Sequence, residues 1–194
     1  MDKVLLLTLV LVVFISPVRS STSGLKVSTA QLLGFDWKNC GSPDAPAVLK
    51  TLNLSPDPVF IPGDIQASAS GSTSVELAAP LAVNVTLEKE VAGFWVRIPC
   101  VEELGSCHYE DACDLLTQLV PLGQDCPEPL RTYGLPCRCP FKAGSYSLPL
   151  SDFSLPIMEL PSWLTNGNYR VRGVLGMQDK ELGCLTVSLS LRSY

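Results

Sequence analysis

Eight cysteines, one histidine and a scatter of carboxylates are the residues of this 194-residue chain whose types and spacing could do chemistry. The first 39 residues hold no cysteine; Cys40 follows, six crowd between Cys100 and Cys139, and Cys184 lies near the end. An even number at irregular spacings, behind an export leader, reads as a disulfide framework. That context argues against metal binding at Cys137-x-Cys139, because zinc needs several thiolates or imidazoles kept reduced. A Ser-His-Asp or Cys-His site would have to use His108, beside Cys107. A lone loop histidine is more often a surface residue than a base. A glycosidase needs two carboxylates flanking the scissile bond. Glu88 and Glu90, Glu102 and Glu103, or Asp111 and Asp114 could supply them, and nothing singles out one pair. No glycine-rich phosphate loop is present. These residues predict no catalytic residue, no metal site and no cofactor.

The elements that must position such groups begin after a leader. Met1-Asp2-Lys3 is short and cationic at Lys3, Val4 to Ile15 is apolar apart from Thr8, and Pro17 breaks the run. This is too short to span a bilayer, and Val18-Arg19-Ser20 suits a signal peptidase. The expected organisation is a signal peptide at 1–20, an N-terminal segment open to processing at 21–34, and one domain at 35–194. About 170 residues remain, enough for a sizeable core. Losing Asp2, Lys3 and Arg19 takes the formal charge from −5 to −6. The remaining cations form no basic stripe, so nucleic acid is not an expected partner. Acidic pH would bring the net charge towards zero and weaken repulsion from an anionic membrane.

Period-2 alternation dominates the domain. Ile65, Ala67 and Ala69 alternate with Gln66, Ser68 and Ser70; Leu81, Val83, Val85 and Leu87 with Ala82, Asn84, Thr86 and Glu88. Phe94, Val96 and Ile98 alternate with Trp95 and Arg97; Leu185, Val187, Leu189 and Leu191 with Thr186, Ser188 and Ser190. Half-buried antiparallel strands read this way. Sixteen prolines and fourteen glycines punctuate them. Ala112, Leu115, Leu116, Leu119 and Val120 instead share one helical face, with Asp111 to cap it, Asp114 in its first turn and Pro121 to stop it. The expected fold is an all-β antiparallel sandwich or cup with one short helix.

Asn84-Val85-Thr86 is a glycosylation sequon on the polar face of its strand. Asn53-Leu54-Ser55 is a second, disfavoured by Pro56. Three apolar stretches read as loops: Phe153 to Leu164, kept from the sheet centre by Pro156 and Pro161, then Val91 to Trp95, and Val120 to Gly123. At one rim of a cup they could lie on a membrane, where Trp favours the interface. The plainer alternative is that they fold over and complete the core.

Four stretches carry a family likeness. Asp36-Trp37-Lys38-Asn39-Cys40, Leu87 to Gly93, Cys126-Pro127-Glu128-Pro129-Leu130-Arg131-Thr132-Tyr133-Gly134-Leu135-Pro136-Cys137, and Glu159-Leu160-Pro161-Ser162-Trp163-Leu164-Thr165 resemble the ganglioside-activator branch of the ML-type lipid-recognition family. The likeness runs from about Phe35 to Leu191, and the Cys126–Cys137 block is its most specific part. It implies a β-cup around a hydrophobic cavity, with disulfides Cys40–Cys184, Cys100–Cys107, Cys113–Cys139 and Cys126–Cys137. Sequence reasoning alone leaves 105 pairings open. One departure shows: the family's familiar glycan site follows Pro62-Gly63, where Asp64-Ile65-Gln66 is no sequon, so Asn84 is the expected site here.

The resemblance implies a lysosomal lipid-transfer protein and enzyme activator, reached through the secretory pathway and open to secretion. It would extract one GM2 ganglioside, or another glycosphingolipid or phospholipid, from an anionic lysosomal membrane. It would present GM2 to β-hexosaminidase A for removal of the terminal N-acetylgalactosamine, and cleave no bond itself. Expected membrane-rim residues are Trp163 with Leu160 and Leu164, then Phe94 and Trp95. Val83, Val85 and Leu87 are expected to line or support the cavity. Two other readings stand beside this one: a secreted lipid-recognition module in immune or receptor signalling, and a lipid hydrolase or glycosidase acting directly.

Overall fold

Alternating apolar residues and Pro/Gly breaks build two antiparallel layers. The computed structural model describes residues 34–156 and 166–193. The strands are β1 (Asp36–Asn39), β2 (Ala47–Ser55), β3 (Val59–Ile61), β4 (Gly63–Thr73), β5 (Ala82–Val91), β6 (Phe94–Ile98), β7 (His108–Tyr109), β8 (Gly144–Leu155), β9 (Gly167–Met177) and β10 (Lys180–Ser193). The one helix among the described residues is α1 (Ala112–Leu119). One sheet runs β1-β10-β9-β5-β6, with β3 on β10 and β7 on β5; the other runs β2-β4-β8. Apart from the parallel β3–β10 pair, these strands pair antiparallel.

The inner faces meet in mixed clusters. Leu49, Leu52 and Ala69 of the smaller sheet pack on Leu185 of the larger, and Ala47 packs with Leu81, Val83, Leu175 and α1. Close approach needs small residues: a Cβ on Gly183 would stand 2.5 Å from the Ala47 carbonyl oxygen. Asn39 clips the layers at their edge, its Nδ2 donating to Leu49 O (2.7 Å) and its Oδ1 accepting from Leu49 N (3.0 Å). Tyr169, 1% exposed, packs with Leu87, and burial pushes its phenol up to about 12.

The disulfides are Cys40–Cys184, Cys100–Cys107, Cys113–Cys139 and Cys126–Cys137. The first spans a sequence separation of 144 and joins the end of β1 to β10. The third holds α1 to the segment before Phe141, and the fourth closes the loop after it.

Two expectations need correction. Phe153 and Leu155 are strand residues, not loop: they lie in β8 opposite Ile65 and Gly63, and Leu155 is buried with Val59 and Ile65. The strand stops where Pro156 cannot donate to the ladder. The row Phe94, Val96 and Ile98 does share the inner face with Leu87 and Val91, but Phe94 is 75% and Val96 48% exposed. β6 is the last strand on its side of the sheet, and the cluster around Leu87 and Tyr169 reaches no further than Ile98.

Candidate functional site: an apolar chamber and its mouth

At the Leu81 end of the sandwich the two sheets do not close on each other. A chamber of about 100 Å³ lies between them and α1. Its buried walls include Ala47, Leu81, Leu116, Phe141, Leu148 and Leu175. The lining turns solvent-accessible along Leu119, Val120, Leu130 and Pro136, and Pro127 is exposed, so the mouth lies on that side. Thr73 brings a hydroxyl to the wall, but it donates to Val75 O (2.7 Å), leaving the surface apolar in character.

Each wall follows from local sequence. Asp111 caps α1: its Oδ1 accepts from Cys113 N at 2.9 Å and from Leu81 N at 3.1 Å. This satisfies a free helix-terminal donor and ties the helix to the strand side of the chamber. Leu116 and Leu119, three residues apart, then face the same way. Beyond α1, Arg138 donates from Nη1 to Pro121 O (2.8 Å) and from Nη2 to Gln124 O (2.5 Å). The turn so held carries Leu122, 81% exposed, next to the lining residue Val120. In the neighbouring loop Glu128 accepts from Thr132 Oγ1 (2.5 Å), Thr132 N (3.1 Å) and Arg131 Nε (2.8 Å). The Thr132 hydroxyl first, and Arg131 second, hold its carboxyl below the usual carboxylate range.

The expected site residues fall in separate places. Val83 is buried in the cluster behind the chamber and Val85 packs against it, while Leu87 belongs to the Tyr169 cluster; none of the three lines this chamber. Phe94 stands at the tip of the β5–β6 hairpin. Val91, its strand partner, is ten residues along the chain from Leu81, about 33 Å at the usual rise. Trp95 points to the other face, where the Arg170 guanidinium lies 4.0 Å from its ring and also meets Glu88 at 3.5 Å. Trp95 is therefore engaged on the sheet's outer surface, on the face opposite Phe94. Leu160, Trp163 and Leu164 lie outside the described residues. Of the Glu88–Glu90 pair considered for catalysis, Glu88 meets Arg170 and Glu90 accepts from Asn168 Nδ2 (2.7 Å).

Sequence reasoning missed Ala47, Leu148 and Leu175 as lining, because β2, β8 and β9 carry weak alternation, and Phe141, which sits outside the strands in an isolated bridge to Leu77. Leu130 and Pro136 carried a faint signal, being apolar residues inside a disulfide-closed loop.

The family profile for the ML domain matches residues 34–191, the sandwich just described. This chain belongs to the ML-domain family. Two ML-domain relatives are near in sequence. "Ganglioside GM2 activator" of Mus musculus is 54% identical over 188 residues, covering 97% of this chain and 95% of that one. "Ganglioside GM2 activator" of Macaca fascicularis is 56% identical over 162 residues, covering 84% and 85%. Among solved structures, a Niemann-Pick type C2 protein from the Japanese carpenter ant covers 81% of this ML-domain chain at 14% identity, with a TM-score of 0.39.

Proposed function

We propose that this chain is a lipid-transfer protein and enzyme activator that withdraws a ganglioside of the GM2 type from a membrane and presents its sugar to a soluble glycosidase. The observation that carries this is the apolar chamber, held open between two sheets in an ML domain whose near relatives are named ganglioside activators. A glycosidase in solution cannot wait for a two-chain lipid to leave a bilayer unaided. At about 0.8 kcal/mol per methylene, that departure costs roughly 20 kcal/mol. An apolar wall replaces the bilayer contacts and offsets most of that cost.

The chamber of about 100 Å³ is smaller than the 150 Å³ or so that takes a benzene ring, so it accepts the end of an alkyl chain and no more. Loading a ceramide therefore needs the mouth to widen, by movement of α1 and the 120–137 loops away from the sheets. Leu122 at the mouth and, at the other end of β5, Phe94, Val91 and Val96 at the hairpin tip are exposed apolar groups proposed to meet the membrane. Trp163, with Leu160 and Leu164, is proposed as a further membrane-rim group. The enzyme presented with the sugar is proposed to be β-hexosaminidase A, in the acidic lysosome, on a membrane rich in anionic lipid. The relatives' names favour an activator over a direct hydrolase or a signalling module.

The test is transfer of a fluorescent GM2 from donor to acceptor vesicles, with and without hexosaminidase A. Protein-dependent transfer, and N-acetylgalactosamine release only with enzyme present, is the expected result. Release by this chain alone would make it a hydrolase, and no transfer at any pH would end the carrier reading.

A further inference from the structure

We propose that Asn84 carries an N-linked oligosaccharide, set on the outer face of the larger sheet and pointing away from the chamber. Asn84-Val85-Thr86 is an acceptor sequon for a chain entering the secretory pathway. Its neighbour Val83 is buried in the cluster behind the chamber, 4% exposed. Successive side chains alternate across a strand, so Asn84 projects from the opposite face, and it is exposed there. Thr86, the recognition hydroxyl, lies two residues on and shares that face.

The transferase acts on the chain before it folds, and the folded site accommodates the product. His108 Nδ1 lies 2.7 Å from Asn84 Oδ1. An amide oxygen only accepts, so this contact uses the oxygen and leaves Nδ2 for the sugar. Transfer joins Nδ2 to the anomeric carbon of an oligosaccharide carried on a lipid diphosphate. The bond from that carbon to the diphosphate oxygen breaks, the lipid diphosphate leaves with the electron pair, and a base on the cell's transferase takes the amide proton. The product keeps Oδ1, so the His108 contact survives the modification.

The other sequon differs in both respects. Asn53 donates from Nδ2 to Ser68 Oγ at 3.1 Å, and Pro56 follows its Ser55 directly. A glycan at Asn84 would overlie His108 and the β9 residues opposite its strand, Val174 and Arg172. That face would then be closed to a bilayer, leaving the mouth and the hairpin tip for membrane contact.

Expression of the full chain with its own leader in mammalian cells, followed by peptide-N-glycosidase digestion and peptide mass spectrometry, tests this. The expected result is one glycan, with Asn84 converted to Asp on release. N84Q and T86A should each abolish the gel shift, while T86S and N53Q keep it. A secreted wild-type chain with no shift, or a shift that survives both N84Q and T86A, overturns the proposal. The placement is read separately: enzymatic removal of the glycan from native protein should leave vesicle-to-vesicle lipid transfer unchanged. A several-fold rise would put the sugar across the mouth and overturn the assigned face.

Discussion

Leu81 N donates to Asp111 Oδ1 at 3.1 Å, and Leu81 O accepts from the next residue, Ala112 N, at 2.7 Å. One carboxylate thus starts the helix and fixes it to the residue that lines the chamber's inner end. Asp111→Ala should lower stability by about 1–2 kcal/mol, the range of a lost N-cap. Asp111→Asn keeps the Oδ1 acceptor and should lose less. Urea unfolding of the three proteins checks the order. Equal losses for Ala and Asn would mean that the charge, and not the acceptor, matters at this position.

Blocking the chamber should stop transfer without unfolding the protein. Leu119 lines the cavity from the mouth side of α1 and is only half-buried. Leu119→Trp should therefore cost less than the ~1–3 kcal/mol of overpacking a closed core. The indole would occupy the space an alkyl end needs, and GM2 transfer between vesicles should fall at least several-fold. Normal transfer by a stably folded variant would show that lipid does not enter here.

Phe94 and Trp95 are neighbours with opposite assignments. Phe94→Glu alters a side chain 75% exposed, so thermal stability should stay within about 0.5 kcal/mol while binding to anionic vesicles falls. Trp95→Ala removes the ring under Arg170 and should cost at least the ~0.5–1 kcal/mol of an exposed cation–π contact. Melting curves and vesicle co-sedimentation separate the two roles. A Trp95→Ala variant with unchanged stability and lost vesicle binding would return Trp95 to the rim.

The contrast shows what sequence can and cannot disclose. Alternation places Phe94, Val96 and Ile98 on one face, and they do share it. It says nothing about whether another layer covers that face, which depends on how far the smaller sheet extends. The helix was legible because its cap, its period and its stop all agree at Asp111, Leu116 and Pro121. The chamber was legible only as a consequence of family likeness. Ala47 and Leu175 look like ordinary core residues, and only the spacing of the two sheets makes them walls. The first half of β4 was legible from its Ile65–Ala69 alternation. Its continuation through Ser70, Gly71 and Ser72 was not, because small residues that permit close packing carry little periodic signal.

Glu128 should keep the mouth loop clasped in acid. Its carboxyl is held below the ordinary value of 4.5, chiefly by the Thr132 hydroxyl and then by Arg131. A depressed folded-state pKa contributes order that is fully present above the unfolded value and is lost as pH falls through the folded one. The Thr132 amide, bonded to Glu128 Oε2 at 3.1 Å, should therefore stay protected from hydrogen exchange down to the ordinary carboxylate value and lose protection only below it. Glu128→Ala, which removes the acceptor, should expose that amide at every pH, while Glu128→Gln keeps an acceptor oxygen and should leave its protection independent of pH through the carboxylate range. Protection that is already lost well above 4.5 in the wild type would contradict the assignment.

The hairpin tip holds a local conflict that the proposed function resolves. Ala92 and Gly93 both have positive φ, 50° and 84°, as a two-residue type I′ connection requires. That turn favours Asn-Gly, and an alanine forced into the left-handed region costs about 1–2 kcal/mol. Asparagine would relieve part of the strain but would put a polar amide between Val91 and Phe94, both exposed and apolar. If the tip enters the membrane interface, alanine is the better compromise, with stability given up for an apolar surface. Ala92→Asn should then raise the melting temperature while weakening binding to anionic vesicles. A variant that gains stability and binds vesicles as well as before would show that the tip stays in water.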